Sequence, residues 1–303
     1  MKRDLLSITD LSSSEILYLI ALAREMKARE TYEQVLQGKA VALLFEKSSL
    51  RTRVSFEVAV RWLGGYSVYL GHDEVGLGVR EPVSDVALVL SRYVDLIIAR
   101  TYSHQSLMEL ARYSSVPIIN ALSDQEHPCQ TIADLLTIQE KKGVLRGVTI
   151  AYVGDGNNVA KSLMLGAALV GASFRSASPP GFGFPDSIIQ MVDRIDSNAK
   201  ILCTDNIEEA VRNADVVYTD VWVSMGQENE ALKRRRAFAD YQVAPSLLSM
   251  ANRDAIFMHP MPAHYGEEVS GDMLTHSQSV TYDQAENRLH AQKAILAMMI
   301  GGK

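Results

Sequence analysis

Residues 45–56, FEKSSLRTRVSF, decide how the rest of the chain is read. Ala40–Phe45, AVALLF, is an apolar run of strand length without the spacing of an amphipathic helix. Ser48 and Ser49 then offer N-cap oxygens. Val54, Val58 and Trp62 recur at helical spacing until Gly64 and Gly65 stop the element. The segment predicts a buried strand, a short polar loop and a helix opening near Ser49. Free backbone N–H groups and the positive end of the helix dipole converge at such an opening. Ser49, Arg51, Thr52 and Arg53 add two guanidiniums and hydroxyls to it. Arg makes forked, paired hydrogen bonds to phosphate oxygens, so an anion cradle suited to phosphate is expected. An ordinary capped helix with two solvated arginines competes with it, but the buried strand and the serine-rich cap weigh against that.

The whole chain sets the scale. At 303 residues, about two domains are expected. With 47% hydrophobic and 22% charged residues, there is apolar material for two cores. A net charge of −6 argues against non-specific nucleic-acid binding, so an anionic substrate would need a local basic site. Two cysteines, Cys129 and Cys203, without a CxxC, suggest neither a zinc site nor a disulfide framework. The first residues, MKRDLLSITDLSSSE, have neither an apolar signal core nor a transit pattern, and no apolar stretch is long enough to span a bilayer. A cytoplasmic protein is expected.

Further strand-to-helix junctions repeat the opening pattern. Ser12-x-x-Glu15 predicts a capping box and a helix to about residue 30. Residues 67–70 read as a strand and 72–82 as a Gly-punctuated loop holding Asp73, Glu74, Arg80 and Glu81. Asp95–Arg100 is a buried strand with Arg100 at its carboxyl end. Val116–Asn120 leads into ALSDQEHPCQ, where Pro128 suits a first helical position and His127 and Gln130 lie at the helix mouth. In open α/β sheets, ligands bind beyond the carboxyl ends of strands, and Ser49, Arg51, Thr52, Arg100, His127 and Gln130 all collect there.

A second strand–helix series begins after a junction at 143–147. Val148–Val153 and the turn GDGNN at 154–158 half-resemble a dinucleotide fingerprint, but the third Gly is missing and residues 174–178 hold no acid for a ribose. A nicotinamide-dependent dehydrogenase is thereby disfavoured. Strands at 200–203 and 215–219 follow, the second ending at Asp220. An α-amino acid needs an acidic partner for its ammonium and polar donors for its carboxylate. Asp220 offers the first; Ser224 and its loop backbone offer the second. The run KRRR at 233–236 reads as a solvated helix face. A strand at 255–258 ends at HPMP, 259–262, and Ala285, Leu289, Ala294, Ile295 and Met298 line a closing helix.

FEKSSLRTR resembles the Ser-Thr-Arg-Thr-Arg phosphate loop of the aspartate/ornithine carbamoyltransferases. Leu50 replaces the middle Thr, keeping its backbone N–H and losing its hydroxyl. HPCQ at 127–130 resembles the signature whose His and Gln hold the carbamoyl group. DVWVSMG at 220–226 resembles the ornithine signature Asp-x-Trp-x-Ser-Met-Gly, and YDQAENRLH at 282–290 resembles the last signature, whose Arg reaches carbamoyl phosphate. HPMP departs from the His-Cys-Leu-Pro of the ornithine enzymes: Pro260 presents a carbonyl but neither thiol nor N–H. The aspartate-specific members carry His-Pro-Leu-Pro there, but they also use an Arg near 224–227 that this chain lacks.

The resemblance, closest to the ornithine-specific branch, implies an α/β fold of two domains. Each is a mainly parallel sheet flanked by helices. Residues 1–142 would bind carbamoyl phosphate, residues 147–282 would bind the amino acid, and a C-terminal helix, 283–303, would return to the first domain. It implies a carbamoyl phosphate site of Ser49, Leu50, Arg51, Thr52, Arg100, His127, Gln130 and Arg288. Arg100, His127 and Thr52 would stabilise charge on the carbamoyl oxygen. It implies an ornithine site of Asn158, Asp220, Ser224, Met225, Pro260 and Met261. A cis peptide before Pro262 and a trimer with sites between subunits, Arg80 contributing to one, also follow from it. Charged substrates favour such an arrangement only once water is excluded, so closure of the domains with movement of the 224–227 loop is expected. The reaction implied is carbamoyl phosphate plus L-ornithine to L-citrulline and phosphate, a step of arginine metabolism, by direct amine attack with no metal, cofactor or covalent intermediate. Transfer to another amine, or a non-catalytic ligand-binding paralogue, are the alternatives that Pro260 leaves open.

Overall fold

A computed structural model describes residues 2–29, 33–224 and 226–301. The chain forms two compact units, one running to Leu136 and resuming at Glu286, the other spanning Thr137–Ala285.

In the first unit, α1 (Ser13–Ala28) opens with a complete capping box: Ser12 accepts from the Glu15 N–H, and the Glu15 carboxylate accepts from the Ser12 N–H. Then come β1 (Ala40–Phe45), α2 (Leu50–Trp62), β2 (Tyr66–Leu70), α3 (His72–Val75), α4 (Val83–Leu90), β3 (Leu96–Arg100), α5 (His104–Tyr113), β4 (Ile118–Leu122) and α6 (Pro128–Lys142), which continues into the second unit. The four strands are parallel in the order β2-β1-β3-β4. β1 is buried along its whole length because both of its faces are covered. With β2 on one side and β3 on the other, the winding reverses at β1. The crevice beyond β1 and β3 is therefore a topological switch point. Phe45 pairs with Arg100, and the Glu46 N–H donates to the Arg100 carbonyl at 2.9 Å, so the loop into α2 starts beside Arg100.

The second unit holds β5 (Thr149–Val153), α7 (Asn158–Val170), β6 (Ser173–Ala177), α8 (Asp186–Ile195), β7 (Ile201–Thr204), α9 (Ile207–Val211), β8 (Val216–Thr219), α10 (Ala231–Ala237), α11 (Pro245–Leu248) and β9 (Ile256–Met258), and α12 (Thr281–Gly301) starts in it. Its sheet is also parallel, ordered β7-β6-β5-β8-β9, and it reverses between β5 and β8. Val153, Val217, Phe238, Val243, Phe257 and Leu274 belong to a core on one side of it.

Three expectations are corrected. The 72–82 segment is not only loop: it contains α3, and a bridge joins Leu77 to Glu81. α12 does not bury just its apolar residues. Ala285, Leu289 and Met298 are only half-buried, whereas Gln284, Asn287, Arg288, Gln292 and Lys293 are buried. Gln284, Asn287, Arg288 and Lys293 are tolerated there because they have fixed partners. Lys27 Nζ donates to Asn287 at 2.8 Å, and Lys293 Nζ donates to the Met26 carbonyl at 3.2 Å, tying α12 to α1. Finally, the KRRR run is not uniformly solvated, since Arg234 is only 7% exposed. No described helix is long and apolar enough to cross a membrane.

Candidate active site

In the first unit, Ser49 is the N-cap of α2. Its hydroxyl accepts from the Thr52 N–H at 3.3 Å and donates to Thr52 Oγ1 at 3.0 Å. Arg288 Nη2, from α12, donates to the same Oγ1 at 2.7 Å. Both lone pairs of the buried Thr52 hydroxyl are then used, which leaves its proton for another acceptor. Arg51 is half-buried beside this cap, and Leu50 is 75% exposed, so its backbone is its contribution. Arg53 turns away: it pairs with Glu57 at 3.0 Å and lies over the Tyr69 ring, which removes one of the two guanidiniums expected in the cradle.

Arg100 and His127 complete the cluster. Arg100 is 6% exposed, and its Nε has no hydrogen-bond partner among the described residues. Burial first, then the charges of Arg288 and Arg51, hold its guanidinium down to about 9. The same causes, burial followed by Arg288 and Arg100, hold the His127 imidazole well below its usual range, so it is neutral at pH 7. Neither Arg51 nor Arg100 forms an ion pair with a carboxylate among the described residues. Like charges crowded at a helix N-terminus define a site short of negative charge. Gln130 Nε2 donates to Asp134 Oδ1 at 2.8 Å; because a carboxylate only accepts, the amide orientation is set and Oε1 is left as a buried, unsatisfied acceptor. Cys129, buried nearby, has its thiol pushed up to about 12 by burial, which rules it out as a thiolate nucleophile at neutral pH.

In the second unit, the switch point brings the turn after β5 to the end of β8. Gly154 adopts φ +145, and a Cβ on Gly156 would lie 2.9 Å from the Gly183 carbonyl carbon, so both positions require glycine. Asn157 caps α7, its Oδ1 accepting from the Val159 and Ala160 N–H groups, while its Nδ2 donates to Asp220 Oδ2 at 2.8 Å. Asp220 Oδ1 accepts from the Val221 N–H at 2.8 Å. Burial raises the Asp220 pKa, with Asn157 and Val221 acting against it. A cationic ligand would favour its charged form. Asn158 stands next to this pair as the first residue of α7. Ser224 lies half-buried in a turn, its N–H donating to Gln227 Oε1 at 3.1 Å; Met225 falls outside the described residues. Pro260 is buried, and the Met261–Pro262 peptide is cis. His259 Nδ1 accepts from the Met261 N–H at 2.9 Å, so Nε2 carries the proton and donates to Glu268 Oε1 at 3.1 Å.

Some supporting residues carried no signal in the chain. Arg234 Nη1 binds Asp155 Oδ2 at 2.8 Å and the Trp222 carbonyl at 3.3 Å, joining the turn after β5 to the loop after β8. Gln284 accepts from the His259 N–H at 2.8 Å and donates to the Tyr218 hydroxyl at 3.1 Å. Asn157, one position before the expected Asn158, could have been found from its place as the residue before the helix.

The carbamoyl-P binding domain of aspartate/ornithine carbamoyltransferase matches residues 3–140, and the Asp/Orn binding domain matches residues 146–299. An ornithine carbamoyltransferase of Carboxydothermus hydrogenoformans is 50% identical, covering 99% of this chain and 98% of its own length. One of Hyperthermus butylicus is 52% identical over 98% of this chain and 97% of its own. The solved ornithine carbamoyltransferase from Pyrococcus furiosus superposes with a TM-score of 0.95 at 47% identity, covering 99% of this chain and 98% of that one. Matched end to end in sequence and fold, and with both switch-point clusters formed, the chain belongs to the aspartate/ornithine carbamoyltransferase family.

Proposed function

We propose that the protein transfers the carbamoyl group of carbamoyl phosphate to the δ-amino group of L-ornithine, releasing L-citrulline and phosphate. The observation that carries the proposal is the pair of arginines without a carboxylate partner among the described residues, Arg51 and Arg100, with the charge of Arg288 beside them, at the N-terminus of α2. It suits a dianionic leaving group. Ser49, the Leu50 backbone N–H and Arg51 hold the phosphate. Negative charge developing on the carbamoyl oxygen is met by Arg100, the neutral His127 imidazole and the free proton of Thr52, an electrostatic contribution of roughly 3 kcal/mol per well-aimed donor. Gln130 Oε1 accepts from the carbamoyl amide, and Arg288 orients its carbonyl.

Asp220 takes the α-ammonium of the acceptor, and Asn158, Ser224, Pro260 and Met261 surround the rest. Aspartate would bring a second carboxylate to a loop without an arginine, which favours ornithine. The departing phosphate accepts the amine's proton, so no protein base is required. A citrulline assay over a panel of amines with carbamoyl phosphate tests the proposal. Turnover of ornithine above other amines supports it, and no turnover of any amine would leave a ligand-binding paralogue.

Arg51→Lys keeps the charge but loses the fork. The Michaelis constant for carbamoyl phosphate is expected to rise about 10–100-fold, the value of a charge-assisted hydrogen bond or two, while the fold survives. An unchanged constant would remove Arg51 from the cradle.

Activity is expected to rise from pH 7 to pH 9. The attacking amine has an ordinary pKa near that of lysine, about 10.4, so its neutral fraction grows across this range. His127 adds no falling limb, because its depressed pKa leaves it neutral throughout. A flat or falling profile would count against direct amine attack.

We further assign the protein to the cytoplasm, supported by two free thiols, Cys129 and Cys203. We infer a trimer from the family resemblance, with Arg80 of the 72–82 segment serving a neighbouring site. Light scattering that found an active monomer would contradict it.

A further inference from the structure

Beyond β9 lies a group of side chains that the transfer reaction does not use. A ring nitrogen of His264 and carboxylate oxygens of Glu267 and Glu268 all lie within 4.8 Å of one another. Glu268 is fully buried. Its Oε1 is engaged twice, by His259 Nε2 at 3.1 Å and by the His264 N–H at 2.6 Å. Its Oε2 receives no hydrogen bond and sits 3.9 Å from His264 Nδ1. Glu267 repeats the pattern: Oε1 is held by Arg235 Nε at 2.9 Å, and Oε2 is buried without a donor. An orphaned oxygen of Glu268 thus faces the His264 ring, and Glu267, which has an orphaned oxygen of its own, brings a carboxylate oxygen within 4.8 Å of both. Buried carboxylate oxygens without a donor are unfavourable, and a single imidazole N–H satisfies only one of them. One cation satisfies both.

We propose that His264, Glu267 and Glu268 form a binding site for a divalent first-row transition ion of the zinc class. Mixed imidazole and carboxylate donors suit zinc and its neighbours, whereas calcium and magnesium take oxygen ligands. His264 is half-exposed, which gives an ion a route in and lets the imidazole close to the bond lengths of about 2.0–2.2 Å that zinc requires. Three protein ligands leave the remaining coordination to water. Arg235 and His259 hold the outer oxygens and orient both carboxylates. Arg235 also offsets part of the site's negative charge. The ion is tied through Glu268 and His259 to the backbone N–H of Met261, so it orders the loop that carries Pro260 and Met261.

The full chain, freed of metal by chelation, is titrated with zinc by calorimetry and with cobalt(II) by visible spectroscopy. One ion per chain is expected, together with a higher melting temperature and a cobalt spectrum free of thiolate charge transfer. His264→Ala and Glu267→Gln are each expected to lower the affinity more than about 100-fold, beyond the 10–100-fold range of outer-shell changes. Cys203→Ser, which removes the exposed thiol, is expected to bind as the parent does. No binding, equal binding in His264→Ala and Glu267→Gln, loss of binding in Cys203→Ser, or a thiolate band with cobalt would each overturn the proposal.

Discussion

Arg100→Met is expected to lower kcat/KM for carbamoyl phosphate by about 10²–10³-fold and, in the absence of ligand, to raise the melting temperature. The first effect is that of removing one well-aimed donor from developing oxyanion charge. The second follows from the depressed guanidinium. Arg100 is buried, and the charges of Arg288 and Arg51 push against its own. Deleting Arg100 relieves that repulsion. Methionine fills similar volume at the end of β3, where the backbone pairing with Phe45 does not depend on the side chain.

For a chain of this size each kcal/mol relieved is worth about 2–4 °C or somewhat less. A phosphonate analogue of the donor should stabilise the parent by about 2.7 kcal/mol at 100 times its dissociation constant, and the variant much less. Calorimetry with and without the analogue, beside steady-state kinetics, reads both effects. Activity within tenfold of the parent, or a lower melting temperature without ligand, would show that Arg100 is an ordinary structural arginine.

Arg234→Met is expected to destabilise the second unit by about 3–5 kcal/mol, the usual consequence of leaving one member of a buried ion pair alone. Asp155 would be the member left behind. It is buried, burial raises its pKa, and Arg234 is the group that opposes that rise. The variant should therefore gain proton uptake by Asp155 and lose stability increasingly as pH rises through the raised Asp155 pKa. Asp155→Leu combined with Arg234→Met should recover much of the loss, since an apolar pair does not carry the desolvation penalty of separated charges. Because Arg234 also holds the Trp222 carbonyl, the KM for ornithine should rise in the single variant while the KM for carbamoyl phosphate stays near the parent value. Denaturant unfolding and the two Michaelis constants check this. Equal loss in the single and double variants would mean that volume, not charge, decides the site.

Much of this molecule was legible in the chain, and the reason is local. A strand buried on both faces needs a continuous apolar run, and Ala40–Phe45 supplies one. A helix opening needs a side-chain acceptor, and Ser12 and Ser49 supply them. Arg100, His127 and Gln130 could be singled out because each sits where a strand or a loop hands over to the next element.

Other features had no local signature. Arg53 and Arg51 look alike in sequence, but only three-dimensional packing sends one of them to Glu57 and Tyr69. Arg234 stands in a run of four basic residues, and nothing in that run marks the one whose guanidinium meets Asp155, 79 positions away. Gln284, Asn287 and Arg288 of α12 break the apolar periodicity expected of a core helix because their partners come from distant segments.

The sequence by itself therefore determined the elements, their order and the chemical groups at their ends, since these depend on neighbours within a few residues. Only the tertiary structure decided the strand orders β2-β1-β3-β4 and β7-β6-β5-β8-β9, and with them the two switch points where those groups gather. Strand order is set by side chains far apart along the chain packing against one another, and no short window of sequence contains both partners.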